Sequence, residues 1–292
     1  MLYVLDGSGF LFRSYYSLPP IVDKNWNNSW AIFWFFRMIL KLLQEKPDNF
    51  IIAFDPGTKT KRNEEFKEYK ANRPKIDDSF KKQIPIIIDI CKKTWFDVEI
   101  VENYEADDVI ASIVSAYKGK SVVVSSDKDL KQLIDDKVEF LEPKTMEYIN
   151  KQKFIDEFNF KPSWMVLYLA LLWDSSDNIP WVHGIWKKTA QMIVSKYDDI
   201  DKLFKNLQEF PPKIADKLKE NKELIEKNID LIKLYNIWWY THDKIEEFSS
   251  LEKVDFKKLK DILVWEFGFN SFWNLIDKVK NELQQPTQKS LF

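Results

Sequence analysis

Residues 121–130, SVVVSSDKDL, decide how the rest of the chain reads. A short run of β-branched residues leads straight into two acids two apart, Asp127 and Asp129. By composition such a run is a buried parallel strand. The pattern occurs twice upstream, where LYVLD ends on Asp6 and FIIAFD on Asp55. Helical periodicity lies between, over about 31–45, 78–93 and 106–117. This alternation predicts an α/β domain over residues 1–160, with a mostly parallel central sheet flanked by helices. In such sheets ligands bind at the carboxyl ends of the strands, where these acids fall.

From about residue 161 the pattern turns helical, over 162–172, 187–196, 212–234 and 255–283. A helical subdomain is therefore expected over 161–283. Within it, 171–195 reads LLWDSSDNIPWVHGIWKKTAQMIVS. Two acids three apart, Asp174 and Asp177, precede a short connection into the next helix. Residues 56–74, PGTKTKRNEEFKEYKANRP, are too charged for a core and are expected to form an arch, about 56–90, that orders on binding. The tail, 284–292, is polar, contains Pro286 and is expected to hang free until its last residues.

The 292 residues leave room for a sizeable core, and 45% apolar with 31% charged residues describes a soluble globular protein. The net charge of −2 does not exclude a nucleic-acid partner, because clustered carboxylates would cancel basic patches in the sum. Cys91 is the sole cysteine, which excludes an internal disulfide and suits a reducing cytoplasm. No signal peptide is read at the N-terminus. No apolar run is long enough to span a bilayer, so no membrane is expected.

Nine acids stand in five clusters: Asp6; Asp55; Glu105, Asp107 and Asp108; Asp127 and Asp129; Asp174 and Asp177. Among 46 acidic residues, any one alone is most simply a solvated surface charge. Acids that end apolar strands differ, because the topology crowds them together. In YEADDVIASI, residues 104–113, Glu105 and Asp108 share a helix face at i, i+3. Converging carboxylates repel unless cations neutralise them, and hard oxygen ligands select Mg²⁺ or Mn²⁺. Two such ions about 4 Å apart are the usual arrangement for hydrolysing phosphodiesters.

The series LDGSGFLFRSYYS, FD…R…EYKANRP, YEADDVIAS, SSDKDLKQL and DSSDNIP resembles, in order and spacing, the 5′-nuclease family. That family includes the N-terminal domain of bacterial DNA polymerase I and the flap endonucleases. The resemblance covers about residues 1–275. It implies a PIN/resolvase-like sheet with a helical arch and a C-terminal helix-hairpin-helix at about 171–195. It further implies that the nine acids serve two Mg²⁺ ions, with Mn²⁺ as a substitute. Asp127 would lie between them; Asp6, Asp55, Glu105, Asp107 and Asp108 would serve the first, and Asp129, Asp174 and Asp177 the second. The ions would activate a water, hold the scissile phosphate and stabilise the leaving oxyanion.

Lys70 and Arg73 carry over as catalytic residues on the arch, and with Arg13 and Arg62 as phosphate contacts. Only four of the 44 basic residues are arginine, and arginine is the bidentate phosphate ligand. Tyr15 or Tyr16 is a candidate to stack on a base at the junction, with core packing as the plain alternative. Trp181, Gly184, Trp186, Lys187 and Lys188 would hold duplex phosphates, largely through backbone N–H groups. His183 is read as an incidental loop residue.

The function so implied is Mg²⁺-dependent hydrolysis of DNA or RNA–DNA at 5′ ends and flaps, for primer removal and repair, by a cytoplasmic monomer. The expected partners are branched, flapped or nicked DNA and RNA–DNA. A non-catalytic binder of branched DNA and a PIN-type ribonuclease remain as alternatives. The last five residues, QKSLF, resemble a short motif by which bacterial replication proteins bind the sliding clamp, with Gln288, Leu291 and Phe292 as anchors.

Where the family has glycine at 173, 181 and 186, this chain has tryptophan. With 12 Trp and 6 Gly, glycine is about 2% of the chain against a usual ~7%. A tight hairpin is expected to need positive φ, which glycine allows and a β-carbon resists. In SWAIFWFF, residues 29–36, Trp30 and Trp34 add two more large rings to three phenylalanines. The expectation is recoding: UGA codons read as glycine by the organism and rendered as tryptophan in translation, at 26, 30, 34, 95, 173, 181 and 186. Positions 164, 238, 239, 265 and 273 carry a weaker signal.

Overall fold

The computed structural model describes residues 1–17, 19–72, 76–172, 178–248 and 251–285. Arg73, Trp173, Asp174, Asp177, Gln288, Leu291 and Phe292 lie outside these residues. In chain order the first part runs β1 Leu2–Asp6, α1 Gly7–Ser17, α2 Trp30–Leu43, β2 Asn49–Phe54, α3 Lys61–Glu65, α4 Asp78–Lys93, β3 Asp97–Ile100, α5 Ala106–Ala116 and β4 Ser121–Val124. There follow β5 Val138–Glu142, β6 Glu147–Ile149, α6 Lys151–Phe158, α7 Met165–Ala170 and α8 Lys187–Val194. The remaining helices are α9 Ile200–Lys205, α10 Pro212–Glu220, α11 Lys222–Ile232, α12 His242–Glu246, α13 Phe256–Lys260 and α14 Phe272–Gln284.

The sheet is α/β and mainly parallel, in the order β3-β2-β1-β4-β5-β6, with only β6 antiparallel to its neighbour. β1 is central because both its faces are apolar. Leu2 and Val4 enter one core, Tyr3 and Leu5 the other, following the two-residue period of a strand. The register sets Asp6 opposite Ala53 and Leu5 opposite Val124. Asp6, Asp55 and Asp127 therefore emerge along one edge, at the carboxyl ends of β1, β2 and β4.

The expected helix over 212–234 is two helices that meet at Asn221, since one amphipathic period can run through a one-residue break. The expected helix over 255–283 is interrupted at Gly268, which takes φ 79°. Nor do α13 and α14 stay with the helices before them. They pack with α2 and α4 on one face of the sheet, whereas α5, α7, α8, α10 and α11 share the other core.

The tryptophans divide by conformation. Trp95 takes φ 65° just past the end of α4, where Trp95 N–H donates to Lys92 O and Phe96 N–H to Cys91 O. That is the hydrogen-bond pattern of a Schellman cap, whose left-handed residue is usually glycine. Trp26 takes φ 65° in the 23–27 turn. The two side chains are 64% and 85% exposed, so neither gains burial to offset the strained backbone. At 181 and 186 the conformational argument fails. Trp186 has φ −103° and Trp181 is not left-handed; Gly184, at φ 83°, supplies the hairpin's positive angle. Trp30 is buried against Tyr15, with ring centroids 4.6 Å apart, and the Trp34 indole donates to Pro19 O.

Trp95→Gly is accordingly expected to raise stability by about 1 kcal/mol, roughly 2–4 °C in Tm. Peptide mass spectrometry of the protein from its native host is expected to read glycine at 26 and 95. Tryptophan in those native peptides would end the recoding idea.

Candidate active site

The first carboxylate is built by the sequence DGSG. Asp6 ends β1, and its Oδ1 accepts from Gly9 N–H at 2.7 Å, in the first turn of α1. Its Oδ2 accepts from Ser125 Oγ at 2.7 Å. Ser125 Oγ in turn accepts from Asp127 N–H at 2.9 Å, so one hydroxyl ties the ends of β1 and β4 together. Ser8 Oγ accepts from Asp55 N–H at 2.8 Å, and Asp55 Oδ1 accepts from Ala106 N–H, the start of α5, at 2.8 Å. Asp127 Oδ1 accepts from Asp129 N–H at 2.8 Å. Ser8 and Ser125 were missed in the sequence, although both sit inside the quoted motifs.

Electrostatics sorts the acids further. Burial pushes the Asp6 carboxyl up to about 7 against the hydrogen bonds from Gly9 and Ser125, and the charges of Asp55 and Asp127 add to the rise. Asp107 is raised well above the carboxylate range by burial and then by Asp127 and Asp6, with Lys70 opposing. Asp6, Asp55, Asp107 and Asp127 thus share one field of mutual repulsion. Burial also works against ionised Glu105, but Lys70 and Arg62 outweigh it and hold its carboxyl low. Lys70 Nζ lies 2.9 Å from Glu105 Oε2, and Tyr69 OH donates to the same oxygen at 3.2 Å. Lys70 itself has φ 56°, an uncommon backbone angle of the kind that clusters at functional sites.

Several expected contacts are placed otherwise. Arg62 is not a surface phosphate ligand here: it is 2% exposed, and both its Nη atoms bind Asp108 at 2.8 Å. Asp108 is correspondingly engaged by Arg62 rather than turned toward the other acids. The Tyr15 ring lies between Trp30 and Phe80, at 4.6 and 4.5 Å, so its faces serve the core rather than a base. Arg13 stays exposed beside the site, its Nη1 donating to Ser126 O at 3.1 Å. Lys187 and Lys188 are exposed in the first turn of α8, and Trp181 packs edge-on to Trp186 at 4.8 Å. Asn178 Nδ2 donates to Glu68 O, and Asn72 Nδ2 to Asn178 Oδ1, which docks the end of the charged segment on the hairpin.

The donor set fits hard divalent cations: the groups are all oxygen, and burial with neighbouring carboxylates raises the proton affinity of Asp6 and Asp107. Among the described residues no three of them already form a closed metal-ligand group.

Comparison with known proteins agrees with this geometry. Residues 1–159 match the family described as 5'-3' exonuclease, N-terminal resolvase-like domain, and residues 160–255 the 5'-3' exonuclease, C-terminal SAM fold. A 5'-3' exonuclease of Aquifex aeolicus (strain VF5) is 36% identical over 295 residues, covering 100% of this chain and 99% of that protein. DNA polymerase I of Bacillus subtilis (strain 168) is 31% identical over 297 residues, 97% of this chain but 33% of the polymerase. Among solved structures, the T5 D15 protein co-crystallised with metal ions superposes with a TM-score of 0.67 at 20% identity, covering 97% of each chain. Flap endonuclease-1 from Methanococcus jannaschii gives 0.60 at 15%, over 97% of this chain and 92% of that one. These two likenesses show the fold. Matches to both halves, with the full-length likeness to the Aquifex protein, place this chain in the 5'-3' exonuclease family.

Proposed function

We propose that the protein hydrolyses phosphodiesters near 5′ ends and flaps of DNA or RNA–DNA, using two Mg²⁺ ions, in primer removal and repair. The observation that carries this reading is the convergence of Asp6, Asp55, Asp107 and Asp127 at the carboxyl ends of the strands, where Asp6 and Asp107 feel the charge of the others. When bound, the cations would supply charge to activate water and stabilise the leaving oxygen. Asp6, Asp55, Asp107 and Asp127 would hold them, with Asp129, Asp174 and Asp177 as further ligands. Lys70 and Arg73 would bind the phosphate beside the site, and Arg13 a neighbouring one. The left-handed turn at Gly184 and the N-terminus of α8 would face duplex phosphates without regard to sequence.

The reading places the enzyme in the cytoplasm as a monomer; among the described residues no helix is long and apolar enough to cross a membrane. Its tail, through Gln288, Leu291 and Phe292, would tether it to a sliding clamp and raise its effective concentration at nicks. A labelled 5′ flap tests both parts. Mg²⁺ is expected to support cleavage to 5′-phosphate products, EDTA to abolish it, and added clamp to stimulate it only while Leu291 and Phe292 are present. Flap binding without cleavage would favour a non-catalytic binder. Stimulation that survives loss of the two residues would dismiss the clamp motif.

A further inference from the structure

Arg62 has five N–H donors, and the structure finds an acceptor for each. Nε donates to Leu231 O at 2.9 Å, and Nη2 to Lys233 O at 2.9 Å and Asp108 Oδ1 at 2.8 Å. Nη1 donates to Asp108 Oδ2 at 2.8 Å and Glu105 Oε2 at 3.3 Å. A guanidinium has no sixth donor, so none remains for a phosphate. Asp108 is as full. Besides Arg62 it accepts from Tyr235 N–H at 2.8 Å and Glu105 N–H at 3.1 Å, which uses the four lone-pair positions of a carboxylate. The pair is 2% and 1% exposed.

The carbonyls matter as much as the carboxylates. Leu231 and Lys233 stand at the end of α11, where the last C=O groups lack helical partners and a cation meets the negative end of the helix dipole. Arg62 thus caps a helix of the C-terminal region while gripping the N-terminus of α5, which carries Asp107. The same strap of chain, 228–237, reaches the rest of the site. Gln132 Nε2 donates to Ile232 O and to Asp129 O at 3.3 and 2.8 Å. Ile237 N–H donates to Ser112 Oγ at 2.9 Å. Asn228 Nδ2 donates to Ala170 O and Pro180 O, at 2.9 and 2.7 Å, on either side of the connection that carries Asp174 and Asp177.

We propose that Arg62 and Asp108 are a positioning pair, neither phosphate contact nor metal ligand, that locks the acids of α5 in register with the C-terminal helical region. The proposal rests on the nuclease reading above, and an inactive wild-type protein would remove that reading without touching the pair. The test uses the full chain with Arg62→Lys, Asp108→Asn and their combination, each assayed well below its own Tm. Single-turnover cleavage is expected to fall roughly 10–100-fold in each single variant. Flap affinity in EDTA, and the slope of log affinity against log salt, are expected to stay at wild-type values. The double variant is expected to be no worse than the poorer single one, as for residues that act as a unit.

A phosphate-binding Arg62 would instead weaken affinity and lower the salt slope by about one. A metal-binding Asp108 would raise the Mg²⁺ requirement additively with Arg62→Lys. Either result overturns the proposal, as does a lowered Tm with the cleavage rate unchanged. Should Arg62→Lys fail to fold, Ser112→Ala, which cuts the neighbouring tie from Ile237, is read the same way: slower cleavage at unchanged affinity supports the pair, and wild-type cleavage refutes it.

Discussion

Asp6→Asn is expected to slow flap cleavage by more than about 100-fold while making the metal-free protein more stable near pH 8. The kinetic part follows from position. Outer-shell partners of a metal site alone are worth roughly 10–100-fold, so loss of the ligand proposed at the end of β1 is expected to exceed that. Flap affinity measured in EDTA is expected to persist, because the proposed phosphate contacts lie elsewhere. The stability part follows from the charge. The Asp6 carboxyl is pushed up to about 7, whereas an unfolded aspartate titrates near ~3.9. The folded state therefore holds the proton more tightly, and stability falls as pH rises from about 4 to about 7. Above that window the ionised group costs on the order of 4 kcal/mol, which a neutral amide of the same shape avoids. Mg²⁺ is expected to reverse the order, since at the proposed site it would compensate the wild-type carboxylate and gain less from the variant. Melting curves with and without Mg²⁺, at both ends of the window, read each sign. A variant that cleaves at the wild-type rate would sink the metal assignment, and one no more stable near pH 8 would show that Asp6 carries no strain.

Gly9→Ala is expected to cost nearly as much activity without touching an acid. A β-carbon at position 9 would stand 2.1 Å from Asp6 Oδ2 and 2.8 Å from its Cγ. The carboxylate cannot simply swing aside, because the Gly9 N–H and the Ser125 hydroxyl hold its two oxygens. The methyl group therefore displaces it, and misplacement by about 1 Å at a reacting centre can cost roughly 100-fold. The fold is expected to survive, since alanine inside α1 regains about 1 kcal/mol of helix propensity that glycine forgoes. Single-turnover cleavage and a melting curve together decide. Unimpaired cleavage would mean that the carboxylate works from another position.

Much of this was legible beforehand because it is written locally. An apolar run that stops on an acid declares both a buried strand and the end at which ligands bind, so Asp6, Asp55 and Asp127 belong together on the sequence alone. The breaks at Asn221 and Gly268 were not legible, because an amphipathic period continues through a single irregular residue. The need for glycine at Trp181 and Trp186 was misread for a related reason. Which residue of a hairpin turns left-handed depends on how the whole turn closes, and here Gly184 takes that part.

The nine acids mark the boundary most clearly. By itself the sequence determined that Asp6, Asp55 and Asp127 stand at the carboxyl ends of parallel strands, since each follows an apolar run. Only the tertiary structure decided that the described acids are of two kinds. Asp6 and Asp107 sit among other carboxylates that raise their proton affinity, while Glu105 and Asp108 are met by Lys70 and Arg62. The physical reason is that compensation of a buried charge depends on distance through space. Arg62 lies 46 positions from Asp108 along the chain and 2.8 Å from it in the fold.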